Sequence, residues 1–381
     1  MGNPGEGRVD SAATDILVRG SGAVGLAAAL ALARQGHSVA LLGSLDKTAR
    51  PAAPDIRAYA LNRASVRLLS SFKVWEAIPA AARTPVQDMR IEGDDAAAVL
   101  EFSAWTAAAA ELAWIVDAAA LDDALREAVR FAPHVRSVER AVPAALTVLA
   151  EGKDSATRAA FGARMPRHAY GQRAIAARLV TSRPHAGLAR QWFRSPDVLA
   201  LLPMDQPQPD HGLALVWSLP DERAEVLLAM GDAAFEAELM QATAGAAGEL
   251  KLASVRAAWP LALGRAEPLF GPGWVLVGDA AHVVHPLAGQ GLNLGLADIA
   301  GLARVLAERE PWRPLSDPRL LARHARERAA DTLAMGTVTD GLLQLFAHPS
   351  PWLKALRNRG LGLVNHLPPL KRALTRAALG R

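Results

Sequence analysis

Two glycine-dense junctions hold the residue types best suited to chemistry. The first is Gly20-Ser21-Gly22-Ala23-Val24-Gly25, a GxGxxG spacing. It separates an apolar run, Asp15–Arg19, from an alanine- and leucine-rich stretch that ends near Gln35. Strand, glycine turn and helix in that order bring backbone N–H groups up to an anionic ligand, and this spacing suits a dinucleotide pyrophosphate. The second junction opens with Gly278-Asp279-Ala280-Ala281-His282 and runs through Pro286, Leu287, Ala288, Gly289, Gln290, Gly291, Leu292 and Asn293 to Leu296. It follows the apolar run Trp274–Val277 and leads into helical spacing over Leu296–Leu306. A packed core has no need of so many glycines beside an aspartate and two histidines. His282 and His285 are spaced like a metal pair, but a proline follows at once and no third ligand is apparent, so no metal is expected.

These junctions need a framework. The first reads as the turn of a βαβ unit, with a strand over Asp15–Arg19 and a second over Ser38–Leu42. That second strand should end in an acidic residue to hold a ribose hydroxyl. Gly43 stands there instead, with Asp46 in the loop beyond, and Arg19 occupies a position expected to be apolar. A third junction, Glu151-Gly152-Lys153-Asp154-Ser155-Ala156-Thr157-Arg158, follows a strand over Ala145–Ala150. Trp114–Asp117 reads as a loop leading into a helix over Leu121–Val129. From His168 to Pro260 the period is mostly two, with strands over Tyr170–Val180, Ala189–Arg194, Val198–Pro203 and Gly212–Leu219, which implies an antiparallel sheet. Trp192, Trp217 and Trp259 fall in or beside it and read as core.

Bulk properties narrow the function classes. A chain of 381 residues that is 51% hydrophobic is globular and long enough for two domains. Its 42 basic and 38 acidic residues are too balanced for a nucleic-acid partner. The absence of cysteine excludes disulfides, thiol catalysis and cysteine-ligated metal. No signal-peptide pattern and no membrane-spanning stretch is present, so a cytoplasmic protein is expected. Near the end, Leu370, Ala373, Leu374 and Ala377 share one helical face, and Lys371, Arg372 and Arg376 lie on another. Such a basic amphipathic helix either docks on the protein or touches a membrane surface peripherally.

Taken together, the three junctions resemble those of the flavin-dependent aromatic hydroxylases, and more closely the ubiquinone-biosynthesis hydroxylase family. The closer resemblance rests on Asp55-Ile56-Arg57-Ala58-Tyr59-Ala60-Leu61, on His282 through Leu296, and on Arg357-Asn358-Arg359-Gly360-Leu361. It implies an α/β fold: a Rossmann-like FAD-binding domain with an inserted antiparallel β-sheet substrate domain and a helical C-terminus. Residues 11–84, 111–165 and 262–345 would form the FAD-binding parts, 85–110 and 166–261 the substrate domain, and 346–381 the C-terminal helices. The resemblance also implies FAD as cofactor, NAD(P)H as reductant, and hydroxylation of the ring of a lipophilic polyprenyl-phenol. A small soluble phenol as substrate, or a non-catalytic place in a quinone-biosynthesis complex, are the alternatives. Gly20, Ser21, Gly22, Ala23, Val24 and Gly25 would approach the pyrophosphate. Arg57 would lie near the flavin or its phosphates, and Gly278 and Asp279 near the ribityl–phosphate arm. Pro286, Ala288, Gly289, Gln290, Gly291, Leu292 and Asn293 would line the ring. No catalytic side chain is nominated. Gly43, Asp117-Ala118 and Glu151 depart from the family pattern, and each departure removes an expected polar contact.

Overall fold

The computed structural model describes residues 14–46, 55–93, 98–284 and 290–329. Arg357–Leu361 and the basic segment 370–379 lie outside the described residues, as do Pro286, Ala288 and Gly289. Three sheets organise the chain. The first has six strands in the order Phe270–Gly271, Trp274–Leu276, Ala144–Leu149, Thr14–Arg19, Val39–Leu42 and Val135–Val138. Thr14–Arg19 pairs in parallel with both its neighbours, with Ile16 opposite Val39 and Leu146. Parallel strands need covered faces, and the helix Ala23–Ala33 covers this one with an almost wholly apolar sequence. The helices Ala118–Arg130 and Gln290–Ala307 pack against the same helix. The core between these layers includes Ile16, Leu26, Leu41, Val148, Val275 and Leu302.

The large sheet runs His282–Val283, Ala257–Arg265, Arg167–Thr181, Gly212–Pro220, Asp197–Met204, Leu188–Arg194, Asp88–Glu92, Val99–Ser103, with Leu250–Leu252 also beside Arg167–Thr181. It is antiparallel as the period of two implied, apart from one parallel pair, Leu188–Arg194 with Asp88–Glu92. No tight turn links those two strands, because the chain leaves the sheet after Val99–Ser103 and returns only at Arg167. Alternation divides the two faces. Trp192, Leu199, Leu215 and Trp217 lie under the helices Asp221–Ala229 and Asp232–Thr243. Ala189, Ala200, Leu202 and Ala214 pack on the opposite side against Val86 and Ile115. Trp192 and Trp217 are core, as expected, whereas Trp259 is exposed.

The third sheet was not foreseen. Ala113–Asp117 is the central strand between Ala58–Leu61 and Arg83–Val86, so Trp114–Asp117 is not the loop the sequence suggested. Ile115 and Val116 are fully buried there, and β-branched residues suit a strand covered on both sides. The late helix also begins earlier than the spacing implied, at Gln290 instead of near Leu296. Gly295 in that stretch serves close packing within a helix, against Val24, not a longer turn.

Candidate functional site

The glycines of the first junction divide by what surrounds them. Gly20 has a φ of +112°, and a Cβ there would lie 2.3 Å from the Ala150 carbonyl oxygen. A Cβ at Gly25 would lie 1.9 Å from the Gly20 oxygen. These two pack loop against strand and helix against loop. Gly22 is different: nothing lies within 4 Å of its Cβ position. It caps the helix Ala23–Ala33, which has no side-chain cap and no acidic residue in its first turn. The positive end of that helix therefore faces open space with its terminal N–H groups available to an anion. Arg126 fastens the surrounding loops, donating to the Ser21 oxygen at 3.2 Å and to the Ser44 oxygen at 2.7 Å. Sequence reading missed Arg126, which resembles any solvated helix arginine. Gly43 now has a steric reason: its φ is +157° and a Cβ would fall 2.7 Å from the Ser21 Cβ. The expected acidic side chain has no room there.

Val24 brings the first and late junctions together. A Cβ at Gly278 would meet Val24 Cγ1 at 3.1 Å, and one at Gly295 would meet Val24 Cγ2 at 2.6 Å. Gly278 has a φ of +60°, which favours glycine independently. The next residue, Asp279, is exposed, and its Oδ1 lies 3.9 Å from the Cβ position of Gly291. Burial raises the Asp279 carboxyl above its ordinary range, against the opposing charges of His282, Lys153 and Arg57. Asp279 shares a polar recess with Arg57 and Tyr59, close enough for their charges to act on one another. Tyr59 is only partly buried but is likewise raised by burial, and Arg57 and Asp279 both act on it. Arg57 is exposed at the same recess, held by Asp55 through bonds of 2.9 and 2.7 Å and lying 5.8 Å from the centre of the Tyr59 ring.

Of the residues expected at the ring, Gly291, Leu292 and Asn293 form the first turn of the late helix with Gln290. The Asn293 side chain is fully committed inside the protein. Its oxygen accepts from Asn62 N–H at 3.0 Å and Ser65 Oγ at 2.7 Å, and its amide donates to the Ala60 oxygen at 2.7 Å. It clamps the Ala60–Ser65 segment to the late helix.

The middle junction is internally closed. Glu151 accepts from Arg19 Nε at 2.9 Å, Ser155 Oγ at 2.7 Å and Thr157 Oγ1 at 2.8 Å. Burial would raise the Glu151 pKa, but these bonds hold it below the usual range. The two oddities of the sequence, Arg19 and Glu151, thus satisfy each other. Arg158 is buried and donates to the Ala280 oxygen at 3.1 Å, which ties this junction to the late one.

A family profile described as "FAD binding domain" matches residues 13–128 and 106–335. The ubiquinone hydroxylase UbiL of Rhodospirillum rubrum is 32% identical, over 99% of this chain and 92% of its own. The chain belongs to this family of FAD-dependent monooxygenases. A second relative, the 3-demethoxyubiquinol 3-hydroxylase of Escherichia coli, is 29% identical over 96% of this chain and 98% of its own. The solved structure of p-nitrophenol 4-monooxygenase from Pseudomonas putida shares the fold, with a TM-score of 0.74 at 16% identity over 95% of this chain and 96% of that one. The residues present fit the cofactor of the family. The open Gly22 position and the uncapped helix suit a pyrophosphate, and the recess offers a carboxylate and a guanidinium.

Behind this FAD site lies a charged cluster that sequence reading did not find. Asp298, on the late helix, is 2% exposed. One oxygen meets His282 Nε2 at 2.7 Å and accepts the Gly278 N–H at 2.9 Å. The other accepts from Arg328 Nε at 2.7 Å. Burial would raise the Asp298 pKa, but His282 and Arg328 override it and hold it at about 2. Burial disfavours charge on His282, yet the Asp298 carboxylate prevails and its pKa is raised. The cluster fixes the backbone from which Asp279 projects.

His185, Asp205 and Asp210 place their ligand atoms within 4.8 Å of one another, as a metal site would. Gly187 N–H donates to His185 Nδ1 at 3.1 Å, so the neutral ring carries its hydrogen on Nε2, 3.5 Å from Asp205 Oδ1. Neither ring nitrogen then has a lone pair to spare for a metal, and the group reads as a His–Asp pair within a loop.

Proposed function

We propose that this chain hydroxylates the aromatic ring of a polyprenyl-phenol on the route to ubiquinone, with NAD(P)H as reductant and molecular oxygen as co-substrate. The observation that carries the reading is the open, uncapped helix N-terminus at Gly22, joined through Val24 to Gly278 and Gly295 so that the exposed Asp279 stands beside Gly291. The names of the relatives, ubiquinone hydroxylase and 3-demethoxyubiquinol 3-hydroxylase, support the substrate class.

FAD, when bound, supplies the redox and oxygen-transfer chemistry. The chain's own residues bind and orient. Gly20, Ser21, Gly22, Ala23, Val24 and Gly25 seat the pyrophosphate at a helix N-terminus. Gly278 turns the backbone with a φ of +60°, and Asp279 beyond it would hold the ribityl arm. The Arg57 guanidinium would balance negative charge on the cofactor, and the start of the late helix, Gln290 through Asn293, would add its positive end. No side chain is required as a nucleophile. The domain division of the sequence reading is retained, with residues 85–110 and 166–261 as the substrate side.

The test is spectroscopic and kinetic. Purified protein is expected to be yellow, or to become so with FAD, and to oxidise NAD(P)H faster with a prenylated phenol than with its unprenylated parent. Colourless protein after FAD addition would sink the flavin reading. Equal or greater stimulation by the unprenylated phenol would shift the substrate to small soluble phenols.

Within the same proposal, the protein is cytoplasmic and touches the inner membrane face or a quinone-biosynthesis complex through the basic segment 370–379. Among the described residues, no helix is long and apolar enough to cross a membrane. Removing residues 370–381 is expected to abolish co-sedimentation with anionic vesicles while leaving FAD binding intact. Unchanged sedimentation would remove the segment from the argument.

A further inference from the structure

One buried arginine joins the large sheet to the segment that carries Arg57. Arg178 comes from the strand Arg167–Thr181 and is 8% exposed. Its Nη2 donates to Asp117 Oδ2 at 2.8 Å and to the main-chain oxygen of Arg57 at 2.6 Å. Its Nη1 touches Met204 Sδ. The same Arg57 oxygen accepts the Ala118 N–H at 3.1 Å. The other Asp117 oxygen accepts the Ala120 N–H at 2.9 Å and so caps the helix that carries Arg126. The Arg57 backbone is therefore held from the substrate-side sheet and from the cofactor-side helix together, while its guanidinium projects into the recess.

Stability alone gives little reason for this arrangement. Desolvating a guanidinium and a carboxylate costs about as much as their attraction returns, and apolar replacements of buried pairs are often neutral or better. What a buried pair does supply is a fixed geometry. Arg178 is the only arginine on its face of the strand between Ala174 and Val180, and it reaches a main-chain carbonyl that an apolar side chain has no means to hold. The arrangement also accounts for one departure from the family pattern. Asp117-Ala118 forms the receiving end of this link, through the Asp117 carboxylate and the Ala118 N–H.

We propose that Arg178 is a positioning residue for Arg57: it fixes the main chain there so that the Arg57 guanidinium meets FAD, and it thereby couples the substrate-side sheet to the cofactor. The inference rests on the reading of Arg57 as an FAD contact. Without Arg178, the Arg57 segment samples other orientations, and FAD affinity falls with the fraction that remains competent.

The experiment measures FAD affinity by flavin fluorescence, and the flavin midpoint potential at saturating FAD, on the full chain. Four proteins are compared: wild type, Arg178→Lys, Arg57→Ala and the double variant. Lysine keeps a cation beside Asp117 but reaches one acceptor instead of two. Arg178→Lys is expected to weaken FAD binding about tenfold, the scale of one charge-assisted hydrogen bond. Its potential should move negative, in the same direction as that of Arg57→Ala, because a misaimed cation stabilises reduced flavin less. The double variant should match Arg57→Ala alone. Additive losses, or wild-type affinity and potential in Arg178→Lys, would overturn the inference while leaving the Arg57 reading intact. Wild-type behaviour of Arg57→Ala would instead overturn the Arg57 reading and, with it, this one. If Arg178→Lys does not fold, Asp117→Asn, which keeps the Ala120 cap, carries the same comparison.

Discussion

Asp298→Asn is expected to lower the unfolding free energy by about 3–5 kcal/mol, the usual loss when one partner of a buried ion pair is removed. The substitution keeps the shape and an oxygen for the Gly278 N–H. It removes the charge that His282 and Arg328 share at 2.7 Å each and turns the acceptor facing Arg328 Nε into an N–H donor. Arg328 loses the carboxylate that its Nε meets at 2.7 Å, and breaking a buried pair from one side is strongly unfavourable. His282 responds by losing its proton, since Asp298 is what raises its pKa. Urea midpoints measure the loss, and a midpoint within experimental error of wild type would show that the cluster is not a stabilising one. FAD affinity is expected to fall as well, because Gly278 and Asp279 lean on the same carboxylate.

The same cluster sets the shape of stability against pH. The folded pKa of His282 is raised, so its contribution is complete below its unfolded value of 6.5 and is lost as pH rises through the higher folded value. His324, also facing Asp298 and Arg328, behaves oppositely. Burial lowers it to about 4, so its contribution is complete above 6.5 and is lost as pH falls toward 4. Wild type should therefore weaken on both sides of neutrality. Asp298→Asn should lose the alkaline limb that belongs to His282 and keep the acid limb, which checks that the midpoint change arises in this cluster.

Legibility in the sequence followed the range of the interactions. The βαβ unit and the long strands of the large sheet declare themselves through local periodicity, and their bounds agree with the chain pattern to within a few residues. The three-stranded sheet does not. Ala58–Leu61, Arg83–Val86 and Ala113–Asp117 are short, and each pairs with a strand far away in sequence without a hairpin turn to announce it. The late glycines misled for a different reason. Gly291 and Gly295 look like turn residues, but Gly295 lies inside a helix because Val24 packs against it. Arg126, Arg178 and Asp298 are charges that a sequence presents as solvated. Two of them did carry a signal. Asp298 falls in the apolar stripe with Leu294, Leu302 and Val305, and Arg178 alternates with Ala174 and Ala176 on a buried strand face. A charge in an apolar stripe asks for a buried partner, and pairing supplied one in each case.

Gly22→Ala and Gly25→Ala should separate the two jobs of the first junction. At Gly25 the new methyl would sit 1.9 Å from the Gly20 oxygen and 2.8 Å from its carbon. Both obstacles are backbone, so the helix Ala23–Ala33 and the loop must part. The gain of up to about 1 kcal/mol from replacing a helical glycine is too small to offset that movement. FAD affinity should fall by about a hundredfold, ~2.7 kcal/mol, and the urea midpoint should fall with it. At Gly22 the methyl enters open space, with nothing within 4 Å. The fold should be kept, and the urea midpoint of the FAD-free protein should fall only by the cost of exchanging glycine for alanine at an N-cap, about 1 kcal/mol or less. FAD affinity should nevertheless fall, because the methyl occupies the approach to the helix N-terminus. Packing and ligand approach thus both predict a loss of binding, but only the packing position predicts a large loss in the FAD-free fold. If Gly22→Ala bound FAD as wild type does, the pyrophosphate would not sit at this helix, whatever the glycine spacing suggests.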